Sequence, residues 1–241
     1  MRIKRMPITL FILAALALSV LAAPTSVQAK PPGPASGGSE DAVSCRLPKS
    51  NADALYLLSN YYPGYWWDHT DLTIAVQAAP NVGEEYLEAI HEAIAVWSDV
   101  LDKCFDGAIT LTDVTNTNKN EQKADIVLHY VPTAGGASFD GYAICGAKDC
   151  PNILVRSDVA WSDPYSTEYV AWVTLHEVGH ALGLGHTTNL LESTDLMGYG
   201  WPDLGDPVLS QCDIEAIAFV FAWVFEGSEP HAPAEGPYEC S

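Results

Sequence analysis

VTLHEVGHALGLGHTTNL, residues 173–190, holds three histidines and one glutamate within eleven positions. His176 and His180 are four apart, so on a helix both imidazoles project from one face about one turn apart. That spacing can put two nitrogens about 2.0–2.1 Å from a single zinc ion. Glu177 flanks the same face, where its carboxylate can reach a water beside the metal without taking a coordination position. Gly183 can adopt positive φ at no steric cost, which lets the chain leave the helix sharply. The turn brings His186 back as a third ligand. Three neutral ligands leave one position open, the arrangement of a catalytic rather than a structural zinc. A lone HExxH arises in helices by chance. Here His176, Glu177, His180, Gly183 and His186 complete HExxHxxGxxH in helical context.

Outward from this helix, which opens near Ser166 or Thr167 and stops near Gly183, the pattern is that of a mixed α/β domain with few helices. DLTIAVQ (71–77), AITLTDV (108–114) and ADIVLHY (124–130) have strand composition and alternation. GYAIC (141–145) and NILVR (152–156) are shorter strand candidates. Asn81-Val-Gly-Glu84 resembles a capping box. Behind it, Tyr86/Leu87, Ile90, Ala93/Ile94, Trp97 and Val100/Leu101 recur at helical spacing. Ser210-Gln-Cys-Asp213 is a second capping-box pattern, opening a last helix with Ile214, Ile217, Phe221 and Val224/Phe225 on one face.

The first 29 residues have the anatomy of an export signal. Arg2, Lys4 and Arg5 precede an apolar run from Ile8 to about Ala23, and Val27 and Ala29 offer a cleavage site before Lys30. Residues 30–44 are rich in Pro, Gly and Ser, and residues 30–64 read as a leader or short pro-segment, partly flexible. Residues 65–241 form the globular domain. Loss of residues 1–29 leaves 8 basic residues against 31 acidic ones, a formal charge of −23. Such a surface repels phosphate backbones and excludes nucleic acid as a partner. It suits an extracellular, monomeric protein without stable membrane association, and its carboxylates leave room for calcium beside zinc. Six cysteines, Cys45, Cys104, Cys145, Cys150, Cys212 and Cys240, point to disulfides. Cys145 and Cys150 are close enough to close a small loop. The other four cannot be paired from the sequence.

With these residues in place, the chain resembles the metzincin metallopeptidases, and within them the matrixins. HExxHxxGxxH is followed by a methionine-containing turn, matched by Asp195-Leu-Met-Gly-Tyr199 with Met197 as its methionine. VTLHEVGHALGLGHT is matrixin-like, with Thr187 where serine is usual; EAIAVWSDV, ADIVLHY and LSQCD are similar too. The resemblance covers residues 65–226, most specifically 173–199. It implies a twisted mixed sheet of about five strands with one antiparallel edge strand, a long helix, an active-site helix and a C-terminal helix. The chain departs from the matrixin pattern in lacking the PRCGxPD propeptide switch, for which Cys45 in SCRLPKS is no convincing substitute. It also lacks the histidine pattern of a second zinc, and His69, His91, His129 and His231 read as surface or satisfied polar residues. Met197-Gly-Tyr199 has the methionine-x-tyrosine spacing of astacins and serralysins, so Tyr199 is either an oxyanion helper or, the preferred reading, a wall of the substrate pocket.

What the resemblance implies is a secreted zinc endopeptidase acting on protein or peptide substrates. His176, His180 and His186 would hold zinc, Glu177 would be the general base, and Met197 would floor the site. GYAIC would be the edge strand that pairs with substrate, and residues 199–208, with Trp201 and Pro202, would line the specificity pocket. The rivals are a zinc hydrolase of a non-peptide bond and a secreted zinc- or calcium-binding interaction protein without peptidase activity.

Overall fold

Residues 54–57, Ala-Leu-Tyr-Leu, form strand β1 (Ala54–Leu57), followed by the single turn α1 (Leu58–Tyr61). The computed structural model of the chain describes residues 43–62, 64–116, 123–131, 141–145, 155–160, 166–198 and 209–240. All of them lie in one unit spanning Pro32–Ser241. The stretch read as leader from the sequence thus carries structure from residue 43: Cys45 is bridged to Cys104, and Leu55 and Leu57 are fully buried.

The principal sheet follows. Strand β2 (Asp71–Ala78) buries Leu72, Ile74, Ala75 and Val76, the near-continuous apolar run expected of a strand covered on both faces. Helix α2 (Glu84–Cys104) leads to β3 (Thr110–Asp113), then β4 (Ile126–Val131), β5 (Gly141–Cys145) and β6 (Val155–Ala160). Among the described residues the spatial order is β3-β2-β4-β6-β5; the first four strands are parallel and β5 runs antiparallel at the edge. The five strands and the antiparallel edge match the expectation. The described part of the sixth strand candidate runs from Val155 to Ala160, and Asn152, Ile153 and Leu154 of NILVR lie outside the described residues. Helix α3 (Thr167–Ala181) and strand β7 (Leu184–Thr187) carry the histidine motif. Helix α4 (Gln211–Val220), a short α5 (Ala222–Glu226) and β8 (Tyr238–Glu239) complete the order.

Two helix expectations need correction. The N-cap of α2 is Gly83, not Asn81, and no side chain caps it; Glu84 and Glu85 in the first turn face the helix dipole instead. The last helix is not continuous, since Phe221 leaves helical geometry and divides α4 from α5, which ends at Gly227 in the left-handed region. The Ser210 capping box is present as expected. Ser210 Oγ accepts from Asp213 N at 3.3 Å, and Asp213 Oδ2 accepts from Ser210 N at 2.8 Å.

The core lies between the sheet and the two long helices. From α2 it takes Ile90, Ala93, Ile94, Trp97 and Leu101, which is the stripe the spacing predicts. Helix α3 packs on α2 and on β5 and β6. Trp97 Nε1–H donates to the Leu175 carbonyl at 2.9 Å, and Tyr130 OH bonds Thr174 Oγ1 at 2.6 Å, fixing the rotation of α3 from both sides. A second sheet, ordered β7-β1-β8 and antiparallel throughout, was not foreseen from the sequence.

Candidate metal centre

Helix α3 starts cleanly because Ser166 Oγ accepts from Tyr169 N at 3.1 Å. From Val173 to Ala181 most of its residues are buried, polar ones included: Thr174, His176, Glu177 and His180 are each under 8% exposed. Its end is fixed by two side chains from ahead of the sheet. Tyr65 OH donates to the His180 carbonyl at 2.9 Å, and Trp67 Nε1–H donates to the Ala181 carbonyl at 3.0 Å, satisfying carbonyls that a helix end leaves open. Gly183 then turns the chain with φ of 110°. A side chain there would be strained, and its Cβ would lie 2.9 Å from Val220 Cγ1. The turn delivers β7, and Leu184 and Thr187 pair with Leu57 and Leu55 of β1.

This path brings His176, His180 and His186 together. Their ligand atoms all lie within 4.8 Å of one another. His176 Nδ1 bonds the Leu196 carbonyl at 2.7 Å, and His180 Nδ1 bonds the Leu184 carbonyl at 2.8 Å. A carbonyl only accepts, so each of these rings carries its proton on Nδ1 and presents a bare Nε2 lone pair. His186 Nε2 is 3.3 Å from His176 Nε2 and 3.2 Å from His180 Nε2. Nitrogens held tetrahedrally at about 2.0–2.1 Å from zinc are about 3.3–3.4 Å apart. The cluster fits that ion.

Burial also keeps the three rings in the ligand-competent neutral form. It pushes His176 well below the usual histidine range, aided by its two histidine neighbours and opposed by the Leu196 bond. It lowers His180 to about 4 against the Leu184 bond, and His186 to about 3 with help from His180.

Glu177 is 3% exposed and lies beside β5: a Cβ added at Gly141 would sit 2.4 Å from Glu177 Oε1. Met197 is fully buried under α3, its Sδ 2.6 Å from where a Gly179 Cβ would be, so the helix backbone rests directly on the thioether. The remaining histidines stand apart from this cluster. His69, His91 and His231 bond Asp68, Asp113 and Glu226 respectively. Tyr199, Trp201, Pro202 and Cys150, together with the Cys145 side chain, lie outside the described residues.

Several contributors to the site escaped sequence reasoning. The Leu184 and Leu196 carbonyls orient two rings, and a backbone atom leaves no letter to read. Tyr65 and Trp67 end α3 from more than 110 positions away in sequence.

A family model described as Matrixin matches residues 65–222. Interstitial collagenase of Bos taurus is 28% identical over 178 residues, covering 69% of this chain and 35% of that protein. Macrophage metalloelastase of Oryctolagus cuniculus is 31% identical over 168 residues, covering 66% of this chain and 33% of that protein. The chain thus spans about a third of the length of the curated relatives it matches. Among solved structures, an archaemetzincin from Methanopyrus kandleri is 15% identical, covering 64% of this chain and 97% of that one, with a TM-score of 0.43.

Proposed function

The chain belongs to the matrixin family, and from that premise we propose that it is an exported zinc endopeptidase. The observation that carries this reading is the convergence of three Nε2 atoms, with Glu177 on the same helix beside an edge strand. His176, His180 and His186 would hold the zinc. Bound there, zinc supplies Lewis acidity toward a carbonyl oxygen and lowers the pKa of water toward neutrality. The chain's own residues do the rest. Glu177 takes a proton from the attacking water and returns it to the leaving amine nitrogen. Its burial keeps bulk water from competing for that proton. β5 offers the backbone of an edge strand, along which an extended peptide can lie as an added strand. That favours a peptide over a compact non-peptide ester or amide as substrate.

Export is supported by the basic-then-apolar run of residues 2–23 and by the two bridges Cys45–Cys104 and Cys212–Cys240, which persist in oxidising compartments. Among the described residues no helix is long and apolar enough to cross a membrane. We place the working domain from residue 43 onward, with residues 1–29 as the export signal.

The test is cleavage of casein or gelatin by the purified protein with and without a zinc chelator, beside a Glu177→Ala variant. Chelation should abolish turnover and added zinc should restore it. Glu177→Ala should keep its zinc and lose about 10²–10⁴-fold in activity. Near-normal turnover in the zinc-loaded variant would remove Glu177 from the role of base.

A further inference from the structure

Residues 50–54 are bonded to the loop that carries Met197, and Asn51 makes most of the connection. Its Oδ1 accepts from Thr194 N at 2.9 Å and Thr194 Oγ1 at 3.2 Å, with Ser193 Oγ 3.3 Å away. Its Nδ2 donates to the Glu192 carbonyl at 3.0 Å, and its own carbonyl accepts from Asn189 Nδ2 at 2.9 Å. Ser50 Oγ donates to Asp195 Oδ2, and Ala52 N reaches the same oxygen at 3.1 Å. Thr188 N donates to the Ala54 carbonyl at 2.9 Å.

Asp195 is 2% exposed. A buried carboxylate keeps its place only while donors replace the water it has lost. The remaining donor to Oδ2, Ser193 Oγ at 3.1 Å, belongs to its own loop, so segment 50–52 supplies the other two. The residue after Asp195 lends the Leu196 carbonyl to His176 Nδ1, and Met197 O accepts from Thr187 N at 3.1 Å, next to His186. One loop face therefore meets segment 50–54, and the other meets the His176 ring and the strand residue after His186.

We infer that Ser50 and Asn51 are positioning residues for the metal centre. Through loop 188–198 they hold the Leu196 carbonyl that fixes the His176 ring, which makes segment 50–54 a working part of the site and not a removable leader. The inference rests on the zinc-site reading above.

The test compares zinc affinity by chelator competition, and the visible absorption bands of the cobalt-substituted protein, in the parent, Asn51→Ala, Ser50→Ala and Asn51→Asp. Loss of such outer partners costs about 10–100-fold in metal affinity. Both alanine variants should show a loss of that order and altered cobalt bands. Asn51→Asp, which retains the acceptor oxygen for Thr194 but loses the Nδ2–H bond to the Glu192 carbonyl, should recover part of the affinity. Thr73→Ala is the control, since it removes only bonds to Asp125, the one Thr73 Oγ1 donates to Oδ2 at 2.6 Å and the one it accepts from Asp125 N at 3.1 Å, outside the loop. It should lower Tm and leave zinc affinity alone. Unchanged affinity and bands in folded Asn51→Ala would overturn the inference, as would a loss no greater than that of Thr73→Ala. If Asn51→Ala does not fold, Ser50→Ala decides on the same readouts. A parent that binds no zinc would sink the metal-centre reading itself; a parent that binds it, with indifferent variants, would sink only the positioning role.

Discussion

At Gly141 a single methyl group would enter the space that the Glu177 carboxylate fills, 2.4 Å from Oε1 and 2.7 Å from Cδ. The carboxylate is the movable end of its side chain, so Gly141→Ala should leave the fold and the metal ligands in place while displacing Glu177. Misplacing a reacting group by about 1 Å can cost about 10²-fold in rate. We expect kcat to fall by that order with zinc content unchanged, and steady-state kinetics beside elemental analysis would check it. Full kcat in the zinc-loaded variant would mean that Glu177 works from another position. At this scale the sequence was informative wherever helical period alone sets a side chain's direction. His176, Glu177 and His180 share a face for that reason, and Gly183 marks where the face ends. It was silent on the contact between Gly141 and Glu177, which lie 36 positions apart on different elements.

Among the elements, α4 has an N-terminus whose chemistry was legible and whose consequence was not. The Ser210–Asp213 box follows from four adjacent letters. Only the fold shows that Asp213 is fully buried, which raises its carboxyl to about 8; the Ser210 bonds oppose this and the Asp195 charge adds to it. The ordinary value is 3.8. Between these pH values the unfolded chain has released this proton and the folded chain still holds it, so this group's contribution to stability falls as pH rises from about 4 to about 8. Asp213→Asn keeps an acceptor for Ser210 N and cannot ionise. Its denaturant midpoint should therefore improve relative to the parent between pH 5 and pH 8. Parallel pH profiles for the two proteins would mean that Asp213 does not hold its proton in the fold. The break at Phe221 and the cap at Gly83 had no such local signal. The apolar stripe runs through Phe221 unbroken, and Asn81 offers a cap two residues before Gly83, the one the helix uses, so tertiary packing decides both.

In the molecule as a whole, the two described bridges span 59 and 28 positions and fasten the segments that enter the small sheet. Ser44 N donates to the Cys104 carbonyl beside the first, and Cys240 N donates to the Asp53 carbonyl beside the second. On a chain-entropy estimate they contribute about 4 and about 3.5 kcal/mol. Replacing Cys212 and Cys240 by serine should cost up to about 3.5 kcal/mol in denaturant unfolding, and replacing Cys45 and Cys104 somewhat more. Equal stability with and without reductant would remove both from the stabilising framework. None of this pairing could be read from the letters, because Cys45 meets the end of α2 and Cys240 meets α4 only once the chain has folded. The meeting of β1 with β7 and β8 has a temporal side. Leu55 pairs with Thr187 and Tyr238, residues that leave the ribosome about 130 and about 180 positions later. Contacts so distant in sequence are slow to form and close last. A chain made from its N-terminus holds an unpartnered β1 until nearly the whole domain exists, and β7, which carries His186, is locked only then. Seating of the strand that carries His186 is thereby deferred until segments far downstream of β1 have been made.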